Sequence, residues 1–193
     1  MTIISFKYRF IFLANMKCGS TTLHKLLKPY ADLISDISIF HKPIGKHDNA
    51  RQVKSYIESL GYKWEDFYVF TTIRDPLTRI ISCYNFEMQC GYLDPKVDIN
   101  KYIKMGQYHE HFQNIDFFTN PHVNQIIKME DFDIEIPKLW IKLGLGEFNG
   151  QIPVENCTKS KGMDQLFTLD QKKNIIELLK KRHPKDYSYY SHY

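Results

Sequence analysis

The fold of this chain is decided by one stretch, Phe10-Ile-Phe-Leu-Ala-Asn-Met-Lys17-Cys-Gly19-Ser20-Thr21-Thr22-Leu23. Its first five residues, 10–14, are apolar, which predicts a strand buried on both faces because the run is too short to cross a membrane. A turn with a glycine follows, and an amphipathic run with regularly spaced leucines begins at Ser20. The stretch therefore predicts a strand, a turn and a helix in direct succession.

This succession favours an anion site. The first N–H groups of a helix lack intrahelical partners, and the helix dipole places positive potential at the same end. Lys17 supplies a full charge beside them, so the turn is expected to hold a phosphate or a sulfate group. The alternative is an ordinary turn with a strain-relieving glycine and a solvated lysine. The stretch is not a Walker A loop, since Lys17 precedes Gly19 by two residues.

Composition predicts one globular domain over residues 1–193. The chain is 43% hydrophobic and 15% aromatic, enough apolar material for a packed core. A net charge of +4 suits an anionic ligand but falls short of a nucleic-acid-binding surface.

Cysteine use and the lack of targeting signals predict a soluble cytoplasmic protein that contacts no membrane. Cys18, Cys83, Cys90 and Cys157 show neither CxxC nor zinc spacing, so we expect free thiols in a reducing compartment and no metal site. The apolar run from Phe10 lacks a cleavage site and the length of a membrane span.

Strands and helices alternate along the chain, which predicts an α/β fold with a parallel sheet. Further strands are expected at 67–73 and 124–129. Hydrophobic spacing, N-caps and glycine stops predict helices at 20–29, 49–60, 76–88, 98–105, 133–143 and 169–182. Residues 31–45 and 107–122 show no regular period, and the tail after 186 is polar and aromatic.

A second anion site is predicted where the strand at 67–73 ends. Arg74 leaves that end directly, and Arg79 and Ser82 lie one turn apart on the helix that follows. Two arginines and a hydroxyl beside a helix start suit a second phosphate, because arginine offers a planar fork of donors. The alternative is a surface pair between Arg74 and Asp75, with Arg79 solvated.

Together the two motifs resemble those of sulfotransferases that use 3′-phosphoadenosine 5′-phosphosulfate (PAPS). The run from Lys17 to Thr22 resembles their 5′-phosphosulfate loop, and the run Arg74-Asp-Pro-Leu-Thr-Arg-Ile-Ile-Ser82-Cys-Tyr84 resembles their 3′-phosphate motif. Small soluble carbohydrate-type members have counterparts to Gly45-Lys-His47, Lys128-Met-Glu-Asp131 and Lys185-Asp-Tyr187. Residues 88–122 match no known motif.

The resemblance implies a three-layer, P-loop-like fold with a short central parallel sheet flanked by helices. It further implies metal-free, in-line transfer of a sulfuryl group from PAPS to a hydroxyl of a small-molecule or glycan acceptor. Lys17 would act at the oxygen that bridges phosphate and sulfate, and Arg79 would support the site structurally. The implied donor-binding residues are Lys17, Cys18 (through its backbone), Gly19, Ser20, Thr21, Thr22, Arg74, Ser82, Lys159 and Lys161.

A histidine is expected as the general base for the acceptor hydroxyl. His47 is the first candidate because the family often has a histidine in that position, and His41 is the second. His109, His111 and His122 lack zinc spacing and are expected at the surface.

Two other functions stay open at this point. A P-loop kinase or hydrolase would use Glu130-Asp131 to hold a metal ion, and a non-catalytic nucleotide-binding protein would keep the fold without the activity.

Overall fold

A five-stranded sheet organises the part of the chain that the computed structural model describes, residues 1–35, 44–45, 47–106, 113–153 and 166–192. Its strands lie in the order β3-β1-β2-β4-β5. Phe12 of β2 pairs with Phe70 of β4 in parallel, and Thr71 of β4 pairs in parallel with Ile126 of β5. The bounds are β1 Ile3–Ser5, β2 Phe10–Leu13, β3 Leu33–Ile34, β4 Tyr68–Ile73 and β5 Gln125–Lys128.

The parallel centre of the sheet agrees with the sequence-based prediction, but two strands add antiparallel pairings. Strand β1 runs antiparallel to both of its neighbours, β2 and β3. Asp32 holds this edge together, because its carboxylate accepts the backbone N–H groups of Phe6 at 2.7 Å and Lys7 at 3.1 Å. These hydrogen bonds, the one from Lys7 foremost, lower the pKa of Asp32. The fold is mixed α/β, and four of the five strands of this sheet run in one direction.

Helices follow each of the three parallel strands. Helix α1 begins after β2, helix α3 after β4 and helix α6 after β5. All six predicted helices are present in the described ranges, with ends shifted by at most two residues. The bounds are α1 Ser20–Leu27, α2 Ala50–Ser59, α3 Pro76–Gln89, α4 Ile99–Met105, α5 Asp116–Thr119, α6 Phe132–Lys142, α7 Leu169–Arg182 and α8 Pro184–His192.

The two faces of the sheet pack against different helices. Ile11 and Val69 project to a cluster with Val53 and Ile57 of α2. The residues that alternate with them along the strands, such as Phe12 and Phe70, join a cluster with α1 and α6. Helices therefore cover both faces, which gives three layers.

Two helices, α5 and α8, were not predicted from the sequence. Helix α8 comes from the polar, aromatic tail, and it is fixed by contacts on two sides. Tyr189 and Tyr190 pack against the cluster under α2, whereas Tyr187 packs against a third cluster between α3, α4 and α7. Tertiary packing rather than periodicity makes this segment helical. Within the described ranges, no helix is both long enough and apolar enough to span a bilayer.

Candidate functional site

The turn between β2 and α1 has an unusual backbone. Lys17 has a φ of 58° and Gly19 a φ of 78°, so both lie in the left-handed region. For lysine this conformation costs about 1 kcal/mol or more, so the surroundings must hold it in place. A Cβ at Gly19 would lie 2.5 Å from Cε2 of Phe132, at the start of α6. Position 19 therefore needs glycine both for its backbone angle and for the close approach of α6.

Arg79 holds this turn in place through hydrogen bonds. Its side chain is 0% exposed, so the alternative of a solvated arginine is wrong. Its Nε donates to the carbonyl of Met16 at 3.0 Å, and its Nη2 donates to Oδ1 of Asn15 at 2.7 Å. Asn15 and Met16 are the two residues before Lys17, so the arginine of α3 fixes the segment that presents the lysine. Arg79 was predicted to support Arg74 and Ser82, whereas these hydrogen bonds go to the turn that precedes Lys17.

A buried carboxylate completes the Arg79 environment. Oδ1 of Asp186 lies 3.3 Å from Nη1 of Arg79, and Oδ2 accepts the N–H of Ile115 at 3.4 Å. Burial raises the pKa of Asp186 to about 6, although Arg79 acts in the opposite direction. Sequence reasoning missed Asn15 and Asp186 as parts of the site. A signal was present for Asp186, since it lies in a segment with a counterpart in the resembled family.

Arg74 brings the two predicted anion sites together. Its Nη1 donates to the carbonyl of Lys17 at 3.4 Å, and its Nε donates to Oγ1 of Thr78 at 3.2 Å. Asp75 does not form the surface pair considered above, because its Oδ1 accepts the N–H of Thr78 at 2.8 Å and caps α3. Arg74 and Lys17 therefore lie side by side at the ends of the neighbouring strands β4 and β2.

The Lys17 side chain points toward α3. Its Nζ lies 4.3 Å from the centroid of the Phe86 ring. Ser82 precedes Phe86 by one helical turn and is half-buried. The Lys17 ammonium thus lies against the face of α3 that also carries Ser82.

The first turn of α1 offers backbone donors to the same place. The first intrahelical hydrogen bond runs from the N–H of Leu23 to the carbonyl of Gly19, at 3.2 Å. The N–H groups before Leu23 therefore lie ahead of the helical hydrogen-bond ladder. Ser20 and Thr21 are half-buried, whereas Thr22 is buried and its hydroxyl donates to the carbonyl of Pro153 at 3.1 Å. Thr22 can thus offer its N–H, while its hydroxyl fastens the segment that follows α6.

Cys18 faces inward. It is 0% exposed, and its thiol donates to the carbonyl of Met16 at 3.3 Å. Burial raises the pKa of Cys18 to about 11, so the group stays a neutral thiol at physiological pH. Only the backbone of Cys18 is available to an anion. Cys83 and Cys90 are also free thiols, whereas Cys157 lies outside the described residues.

His47 lies at the base of the turn. Its Nδ1 is 2.7 Å from the carbonyl oxygen of Ala14, the residue that follows β2. Since a carbonyl only accepts, we assign the proton to Nδ1, which makes Nε2 the basic nitrogen of the neutral ring. The other candidate base, His41, lies outside the described residues, as do Lys159, Lys161, His109 and His111. His122 is exposed, as expected.

The described residues contain no group of three or more His, Cys, Asp or Glu side chains arranged to hold a metal ion. Glu130, considered above as a metal-holding acid, instead accepts the N–H of Asp75 at 3.1 Å through its Oε1.

Comparison with protein families gives a match to the sulfotransferase family over residues 1–131 of this 193-residue chain. Comparison with curated proteins gives no match, and neither does comparison with solved structures. The matched region contains the turn at Lys17, the strand end at Arg74 and the histidine at position 47. Because the match covers more than half of its length, this chain belongs to the sulfotransferase family.

Proposed function

We propose that this protein transfers the sulfuryl group of PAPS to a hydroxyl of a small-molecule or glycan acceptor, on a P-loop-like fold. The observation that carries this proposal is the 3.4 Å contact between Nη1 of Arg74 and the carbonyl of Lys17. It brings two separate cationic groups to one edge of the sheet. A nucleotide with a phosphate at each end of its ribose needs such an arrangement.

The donor set fits a polyanion. The N–H groups from Gly19 to Thr22, with the hydroxyls of Ser20 and Thr21, would hold the 5′-phosphate. Arg74 and Ser82 would hold the 3′-phosphate. These groups are hydrogen-bond donors or cations, which is the chemistry that phosphate oxygens require.

The proposed reaction needs charge stabilisation and one proton acceptor. Nε2 of His47 takes the proton of the acceptor hydroxyl as its oxygen bonds to sulfur. The Lys17 ammonium stabilises the charge that develops on the phosphate oxygen as its bond to sulfur breaks. The hydrogen bond from Nδ1 of His47 to Ala14 supports this role, because it leaves Nε2 as the basic nitrogen of the neutral ring.

The kinase or hydrolase alternative draws less support from the structure. Glu130 is engaged with the N–H of Asp75, at the start of α3, which gives this acid a structural role. The non-catalytic alternative has the same donor site and is separated from the proposal by assay.

Calorimetric titration with adenosine 3′,5′-bisphosphate, without magnesium, tests the donor site. We expect binding by the wild type and at least a tenfold loss of affinity in Arg74→Ala, because a charge-assisted pair is removed. Lys25→Ala is the matched control, since Lys25 is exposed on α1 beyond the turn. A wild type that ignores this nucleotide but hydrolyses ATP with magnesium would contradict the proposal.

Transfer of radiolabelled sulfate from PAPS to a broad acceptor panel tests the activity. We expect transfer by the wild type and its loss in Lys17→Ala. If the wild type binds the nucleotide but transfers nothing across the panel, the non-catalytic alternative is correct.

A further inference from the structure

The Lys17 ammonium contacts an aromatic ring that neither motif includes. Nζ of Lys17 lies 4.3 Å from the ring centroid of Phe86, within the range of a cation–π interaction. Both side chains are half-buried, so water screens this attraction only partly. The contact joins the turn after β2 to the third turn of α3.

The ring of Phe86 also packs against a second aromatic side chain. Tyr92, just beyond the end of α3, meets Phe86 at a centroid distance of 6.4 Å and an interplanar angle of 66°. Such edge-to-face packing restricts the ring orientation. Tyr92 is itself 72% exposed, so its ring covers Phe86 rather than filling the core.

We propose that Phe86 is a positioning residue that holds the Lys17 ammonium against the Ser82 face of α3 before the sulfuryl donor binds. This inference rests on the proposed function, in which Lys17 acts on the donor. A lysine has a long flexible side chain, and fixing it on donor binding costs conformational entropy. Because Phe86 already fixes the lysine side chain in the folded protein, that entropy is lost during folding and not on donor binding. The charge is therefore preorganised for the reaction.

Two backbone features make this role specific to position 86. The left-handed φ of Lys17, 58°, sets the direction in which its side chain leaves the turn. On α3, positions 82 and 86 are four residues apart and therefore share a face. A ring at 86 thus holds the ammonium against the face of α3 that carries the serine of the proposed 3′-phosphate site.

Stepwise fluorination of Phe86 tests the proposal with almost no change of shape. Fluorine withdraws charge from the ring face, so 4-fluoro-, 3,5-difluoro- and 3,4,5-trifluorophenylalanine weaken a cation–π contact in order. We expect kcat/KM for PAPS to fall at each step, with a total decrease of about two- to thirtyfold. The same series at Phe148, a half-buried ring that packs on Trp140, is the matched control and should leave kcat/KM unchanged. A kcat/KM that stays constant or rises across the series at Phe86 overturns the proposal.

A spectroscopic measurement tests the contact without any turnover. In lysine labelled with carbon-13 at Cε, a ring current from Phe86 should shift the Lys17 signal upfield of lysines that contact no ring. Lys7 and Lys128, which lie over Tyr8 and Tyr190, are left out of that reference group. Lys17→Arg identifies the signal by its loss. We expect Phe86→Leu to return the shift to the average lysine value, and an unchanged shift overturns the proposal. If Phe86→Leu fails to fold, Phe86→Met provides the same comparison, because its side chain also lacks a ring current.

These measurements separate the failure of this inference from that of the proposed function. If the wild type neither binds adenosine 3′,5′-bisphosphate nor transfers sulfate, the proposed function is wrong, and the Lys17 signal still decides whether Phe86 holds the ammonium. If the wild type is active and the fluorinated series is flat, only the role of Phe86 is wrong.

Discussion

The guanidinium of Arg79 on α3 and the carboxylate of Asp186 on α8 lie 3.3 Å apart, and both side chains are buried. Arg79 also donates to Asn15 and to the carbonyl of Met16. One arginine therefore links the C-terminal helix to the turn that presents Lys17. The family match ends at residue 131, yet Asp186, which lies beyond that limit, contacts the arginine that holds this turn.

Replacing Arg79 by lysine should destabilise the protein and disorder the turn. Lysine keeps the charge but cannot reproduce the planar fork that reaches Met16, Asn15 and Asp186 together. We expect a loss of about 3 kcal/mol in the free energy of unfolding, measured by denaturant titration, since hydrogen bonds to a buried charge are lost. Weaker binding of adenosine 3′,5′-bisphosphate should accompany it.

Arg51→Lys is the control for that substitution, because Arg51 is exposed on α2. It should change the free energy of unfolding by less than about 0.5 kcal/mol. Equal stability of the Arg79→Lys and Arg51→Lys proteins would contradict the structural role of Arg79.

Asp186 should make stability depend on pH between about 4 and 6. Its pKa is raised from 3.8 to about 6 on folding, so the native state binds the proton more tightly than the unfolded chain. The contribution is thus fully present below pH 3.8 and is lost as the pH rises through about 6. Relative to Asp186→Asn, which cannot titrate, the wild type should gain about 2 kcal/mol between pH 7 and pH 4.

Parallel denaturant titrations of the wild type and Asp186→Asn across this range measure the effect. Subtracting the two curves removes the contribution of the other titrating groups. A difference that stays constant from pH 7 to pH 4 would show that the pKa of Asp186 is not raised.

Gly19→Ala should be more damaging than another substitution at a left-handed glycine. Gly144 has a φ of 68° with no atom within 4 Å of an added Cβ, whereas at Gly19 the added carbon would lie 2.5 Å from Phe132. Gly144→Ala should therefore lower the free energy of unfolding by about 1 kcal/mol, because only the left-handed backbone conformation is unfavourable for alanine. Gly19→Ala should lower the free energy of unfolding by about 1–3 kcal/mol more, because the buried ring of Phe132 must move. Thermal or chemical unfolding measures both, and equal losses would contradict the close packing of the turn on α6.

His47→Ala should lower the turnover number about 10²-fold or more and leave nucleotide affinity nearly unchanged. In the proposed mechanism the imidazole takes the proton of the acceptor hydroxyl and is not among the residues that would hold the donor. Steady-state sulfate transfer and calorimetry measure the two quantities. His122→Ala is the matched control, since that side chain is exposed. Unchanged turnover in His47→Ala would move the role to His41.

Much of the architecture could be predicted from the sequence because its causes are local. The apolar run from Phe10, the Asp75-Pro76 helix start and the glycine at 106 each act on residues nearby. The same holds for the pairing of the two anion motifs, because parallel strands bring their carboxyl ends to one edge of the sheet. Helix α8 escaped prediction because packing against two separate clusters, rather than its own pattern, stabilises it.

The sequence by itself determined which residues offer charge and hydrogen-bond donors, and that Lys17 and Arg74 each leave a strand for a helix. Only the tertiary structure decided how those groups are held. Asp186 reaches Arg79, Phe86 reaches Lys17 and His47 reaches Ala14 across 107, 69 and 33 residues of sequence. No local propensity encodes such contacts, because they form only once the strands have paired into the sheet and the helices have packed on both of its faces.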